Sequence, residues 1–146
     1  PSLLVPAGGD DAGEDAGVQL LWDAIDRVLN LPEPPTVICF GNDRMAMRAY
    51  GILRSRGVSL PDDLSVAGYD GHRLITDTLY PTLTSAELPY AAIGVRATEL
   101  LLGMISGTAD APTQPILVGG PVNPGNSVKD LPTPITKLSS IGRTTL

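Results

Sequence analysis

One stretch constrains this chain more than any other: PTVICFGNDRMAM, followed after a helix-length interval by LPDDLSVAGYDG. Each segment joins an apolar strand to small and polar residues at the strand's C-terminal tip. The first tip carries Asn42 and the second Asp70. Open α/β sheets bind ligands outside the carboxyl ends of their strands. Two such tips in succession suit a chain that holds a small polar molecule, and neither carries a nucleophile for covalent chemistry.

The 146 residues suit one domain of common size, and a hydrophobic content of 42% with 18% charged residues allows a packed core. The net charge is −6 and the ten basic residues are scattered. That argues against nucleic-acid contact by this segment, because phosphate binding needs a basic patch. The single cysteine, Cys39, sits in an apolar run and is expected to be inert core, in keeping with a reducing compartment. No apolar run reaches the roughly 18 residues of a bilayer span, and no signal peptide is evident. The chain starts at Pro1 and reads as a processed or cloned piece.

Alternating strand and helix patterns predict an α/β fold with a Rossmann-like, open, mainly parallel sheet flanked by helices. Ser2–Val5 is a possible first strand. Val18, Leu21, Trp22, Ile25 and Val28 form one helical stripe, ended by LNLPEPP. TVICF is a continuous apolar run, expected to be a strand buried on both faces. Asn42 or Asp43 can cap the next helix, with Ala46, Ala49, Tyr50 and Leu53 inward and Gly57 as its stop. LSVAGY and LTSAEL are further strands, and HRLITDTLY is a short helix and loop. Pro89 opens a long helix with Ile93, Ala97, Leu100, Leu101 and Met104 on one stripe. Residues 107–134, rich in Gly and Pro, read as a long surface loop, and ITKLSSIGRTTL as a closing strand.

Taken in order, PTVICFGNDRMAM, GVSLPDDLSVAGYDG, PTLTSAELPYAAIG and the final IGRTTL resemble the effector-binding domain of LacI/GalR-type transcriptional regulators, which share the periplasmic-binding-protein-like fold. The resemblance covers most of 35–106 and the last dozen residues. It implies a partial effector-binding domain, mainly the C-terminal lobe. It also implies that the helix at 89–106 docks on a first lobe that these residues lack, as they lack the DNA-binding headpiece. The implied protein is a cytoplasmic homodimer and not an enzyme. It needs no cofactor and touches no membrane. A sugar-like effector between the lobes controls its grip on operator DNA.

Three residues are candidates for the ligand. Asp70 is implied to accept hydrogen bonds from ligand hydroxyls, since a carboxylate takes two donors at once; an aspartate in a YDG turn also serves structure alone. Asn42 can read a hydroxyl as donor or acceptor, or simply cap its helix, and Asp43 is assigned to structure. Glu87 is a glutamate where the resemblance implies a glutamine. It keeps the acceptor and loses the amide donor, which points to a hydroxyl-rich or cationic effector, or to a solvated strand-end charge. Ala12 stands where the resemblance implies a stacking aromatic. Met47 and Gly51, on the second face of the Asn42–Arg56 helix, are implied dimer contacts. His72 is the sole histidine and is expected in an exposed loop, so a metal site has no support. No P-loop, GxGxxG, HExxH or GxSxG appears. A transporter's solute-binding receptor and a sugar- or nucleotide-processing enzyme remain alternatives. An export signal would favour the first, and a base or nucleophile in the crevice the second.

Overall fold

The computed structural model describes residues 14–130. The expected strands at 2–5 and in ITKLSSIGRTTL, and the position of Ala12, lie outside the described residues. The elements run α1 (Glu14–Leu29), β1 (Val37–Cys39), α2 (Asp43–Ser55), β2 (Ser65–Asp70), α3 (Arg73–Thr76), β3 (Thr84–Glu87), α4 (Tyr90–Ile105) and β4 (Val122–Asn123). The sheet order is β1-β2-β3-β4. The first three strands are parallel, and β4 lies antiparallel to β3. The α/β class and the mainly parallel open sheet therefore stand as the sequence predicts.

Helix α2 shows how local sequence sets these elements. Asn42 stands in extended conformation before it, and its Oδ1 accepts the Met45 N–H at 2.8 Å. One of the orphan donors of the first turn is thereby satisfied. At the other end the Gly57 N–H reaches the Arg54 carbonyl and the Val58 N–H reaches the Leu53 carbonyl, both at 3.0 Å. This is a Schellman closure, and it needs the left-handed residue that Gly57 supplies at φ 76°. Between these ends Ala46, Ala49, Tyr50 and Leu53 are all buried, the stripe expected from their spacing. Leu21, Ile25 and Val28 of α1 are buried as well, and α1 packs on α2.

Register divides the sheet into two unlike faces. Ile38 pairs with Val66, and Gly68 with Ser85. Successive side chains alternate between faces, so these four share the face that α2 covers. Ile38 and Val66 join the core there with Phe40, Leu64 and Leu83. The opposite face carries Val37, Cys39 and Tyr69, all exposed. This corrects the expectation that TVICF is buried on both faces and that Cys39 is inert core. Among the described residues the run makes a short strand at the sheet's edge, and helices cover only one of its faces.

The described part of the 107–134 segment also departs from a plain surface loop. Residues 121–129 are stitched to the sheet. The Glu87 N–H donates to the Pro121 carbonyl at 2.8 Å, and the Gly125 N–H to Thr84 Oγ1 at 3.0 Å. Ser127 is fully buried: its Oγ donates to the Val66 carbonyl at 2.6 Å and accepts the Thr84 N–H at 2.8 Å. Free backbone groups of β2 and β3 recruit a polar segment that has no apolar period of its own. Helix α4, by contrast, buries no residue.

Candidate ligand-binding site

The tips of β2 and β3 meet in a groove of ≈ 340 Å3 whose walls include Asp70, His72, Arg73, Glu87, Leu88 and Tyr90. A larger groove of ≈ 410 Å3 lies between α4 and residues 112–118, but its lining is mainly aliphatic, with Arg96 its one charged side chain. The chemistry gathers in the smaller one. Asp70 and Glu87 are direct neighbours in the parallel register, so both carboxylates stand on the same sheet face.

Asp70 ends β2 with φ at 111°, and Gly71 follows at 70°. A non-glycine residue in this region is uncommon, though aspartate is among the more tolerant. The turn is held from below by Asp43, the first residue of α2, which is fully buried. Its Oδ2 accepts the His72 N–H at 2.6 Å and its Oδ1 accepts the Ser85 hydroxyl at 2.6 Å. Ser85 Oγ in turn accepts the Gly71 N–H at 3.2 Å. Gly68 makes room for this arrangement, because a Cβ there would collide with Asp43 Oδ1.

Burial holds the Asp70 carboxyl above the ordinary carboxylate range, and the nearby Asp43 charge pushes the same way. The charge of His72 and the backbone amide of Asp43 oppose them without prevailing. Glu87 is anchored differently: its Oε2 accepts Asn123 Nδ2 of β4 at 3.1 Å. Arg73 pairs along its own helix with Asp77 at 3.4 Å, an exposed and weak pair. Together these groups offer two acidic acceptors beside an apolar wall made by Leu88 and the exposed Tyr90 ring. Such a groove suits reversible binding of a molecule rich in hydrogen-bond donors. Among the described residues no cluster of His, Cys, Asp and Glu is arranged to hold a metal ion.

The structure thus brings Asp70 and Glu87 together. Asn42 is not among the groove's lining residues, and its Oδ1 is engaged as the α2 cap. Asn42, and not Asp43, performs that capping. Asp43 keeps its structural assignment through its bonds to His72 and Ser85. His72 is exposed as expected, at the rim of the groove. Met47 and Gly51 lie on the exposed face of α2, one turn apart. Sequence reasoning missed Ser85, Gly68, Leu88, Tyr90 and Asn123. A serine and a glycine inside otherwise apolar strands were the available signal for the first two. Asn123 carried none, because only tertiary pairing brings it to Glu87.

Residues 3–128 match the family described as periplasmic binding protein-like domain. Among curated proteins, the chain is similar to the probable HTH-type transcriptional repressor ExuR of Bacillus subtilis (strain 168), 35% identical over 85 residues. That match covers 58% of this chain and 25% of the relative. It is also similar to the HTH-type transcriptional repressor CytR of Escherichia coli (strain K12), 37% identical over 84 residues, with 58% and 24% covered. The chain therefore spans about a quarter of the length of these relatives. Among solved structures it resembles a LacI family transcriptional regulator from Arthrobacter sp. FB24 in complex with lactose. There the TM-score is 0.62 at 27% identity, over 77% of this chain and 41% of that one. These relatives are transcription regulators and not enzymes. Among the described residues no helix is long and apolar enough to cross a membrane.

Proposed function

Because this chain belongs to the periplasmic binding protein-like domain family, we propose that it is part of the effector-sensing domain of a LacI-type transcriptional repressor. Its ligand is a small hydroxyl-bearing molecule, a sugar or related polyol, gripped between two lobes. The observation that carries this reading is the side-by-side placement of Asp70 and Glu87 at the strand tips, opening into one groove. Two acceptor-only carboxylates match vicinal hydroxyl donors. The lactose held by the Arthrobacter relative supports the same ligand class.

In this reading the effector favours one lobe arrangement over another, which is the condition for it to act as a switch. Couplings of this kind amount to about 1–3 kcal/mol. The apolar stripe of α4 docks on the first lobe. The Met47 and Gly51 face of α2 joins two subunits, and a headpiece outside these residues reads operator half-sites as a dimer. The reading implies a cytoplasmic protein, with no cofactor.

A thermal-shift screen against sugars, sugar phosphates and nucleosides tests it. Ligand at 100 times its Kd adds about 2.7 kcal/mol to stability. A hit should weaken in Asp70→Ala by roughly 1–3 kcal/mol, the cost of stranding buried donors. A hit of unchanged affinity in that variant removes Asp70 from the site, and a blank panel overturns the sugar-type effector.

A further inference from the structure

Asp43 is a fully buried carboxylate that lies outside the groove, yet of its two side-chain partners His72 belongs to the turn that carries Asp70 and Ser85 holds the Gly71 N–H of that same turn. We propose that Asp43, acting with Ser85, is a positioning residue that clamps the Asp70–His72 turn and so aims the Asp70 carboxylate into the groove. The inference rests on the reading of Asp70 as an effector contact.

The geometry argues it through. Asp70 occupies a sparsely populated positive-φ backbone conformation, which persists only where its surroundings over-determine it. The determining bonds are few and specific. His72 N–H to Asp43 Oδ2 and Gly71 N–H to Ser85 Oγ fix the two peptides after Asp70, and Ser85 Oγ–H to Asp43 Oδ1 ties the holders together. The Leu88 N–H to the Asp70 carbonyl, 3.2 Å, holds the other edge of the Asp70–Gly71 peptide. Through these bonds α2, β3 and the turn all converge on one residue. Asp43 is well suited because a carboxylate accepts from several directions, and its place in the first turn of α2 favours negative charge. Gly68 fits the same account: any side chain there occupies the space of Asp43 Oδ1.

The clamp also carries an electrostatic signature that a merely structural residue lacks. The groups around Asp70 are Asp43 from α2, His72 and Arg73 from the turn and α3, and Glu87 from β3. Of these, the Asp43 charge raises the Asp70 proton affinity and His72 lowers it.

Two measurements on the 146-residue chain, neither using an effector, test the clamp. In the first, amide hydrogen exchange is followed at Gly71 and His72 in Ser85→Ala and Asp43→Asn. Protection at the turn should fall about tenfold, as loss of one hydrogen bond implies, while Leu53 and Val66 stay protected. In the second, the carbon-13 signal of the Asp70 carboxyl is titrated. Its midpoint should move down in Asp43→Asn and stay near wild type in Ser85→Ala. Both results together support the clamp. Unchanged exchange at Gly71 and His72 overturns it, as does an unmoved Asp70 midpoint in Asp43→Asn. Should Asp43→Asn fail to fold, Ser85→Ala decides alone: intact Gly71 protection there overturns the proposal. The sugar-effector reading fails separately, by a blank ligand panel.

Discussion

At Asp70 one residue combines strain, burial and charge. Its carboxyl holds a proton more tightly folded than unfolded, because burial first and the Asp43 charge second penalise the ionised form. Its contribution to stability is therefore fully present below the unfolded value near 3.8 and is lost as pH rises through the raised folded value. Asp70→Asn keeps a residue that tolerates positive φ and removes the titration. Urea unfolding across that window should show wild-type stability falling relative to the variant as pH rises; parallel curves would contradict the charge account. Asp26 behaves oppositely. The Arg56 hydrogen bond holds its carboxyl below the usual range, so its contribution is present above that range and lost on acidification. Arg56 also lies 4.9 Å from the centre of the Trp22 ring, joining the end of α2 to α1. That pair is exposed, which keeps its weight small.

Among the elements, α2 is the one whose ends and faces were most legible. An Asn, an acidic first turn, a 3.6-residue apolar stripe and a terminal Gly all point to the same helix, and local signals that agree are rarely overridden. Asn42→Ala should cost about 1 kcal/mol, read as a lower urea midpoint with unchanged slope. No loss would mean that solvent caps the helix equally well. The strand TVICF was less legible. A continuous apolar run cannot say whether one face or two will be covered, since that depends on which helices cross it. Residues 121–129 were the least legible. Their attachment depends on the polar edges of β2 and β3, which no local pattern in GGPVNPGNSVK announces. The candidate site divides in the same way. Asp70 could be named because strand tips are ligand positions, and Glu87 through the family resemblance. Ser85 and Asn123 could not, because their roles follow from pairing across 42 and 36 residues of chain.

At the scale of the described residues together, the apolar surfaces left uncovered include two faces of regular elements. One is the sheet face bearing Val37 and Tyr69. The other is α4, where Leu102 is 61% and Ile105 74% exposed although the helix is strongly apolar. Contiguous surface of this kind promotes association. Sedimentation of this chain should show concentration-dependent self-association, reduced in a Leu102→Glu, Ile105→Lys double variant; a wild-type monomer at all concentrations would contradict it. The subunit contact proposed on α2 is tested in the full-length protein. Met47→Glu should shift it toward monomer, and an unshifted dimer retires that surface.

What the sequence determined by itself was local and periodic. It specified the helices α1, α2 and α4 and the strands β1, β2 and β3, where α2 starts and stops, which faces of α1 and α2 turn inward, and that ligand-type residues stand at strand tips. These follow from backbone sterics, side-chain period and capping chemistry, all of which act within a few residues. The tertiary structure alone decided that Cys39 is exposed, that Glu87 is held by Asn123, and that Asp43 and Ser85 clamp the turn of Asp70. Those outcomes depend on which distant backbone groups and side chains meet when the sheet closes. No local preference encodes them, because the partners are neighbours only in space.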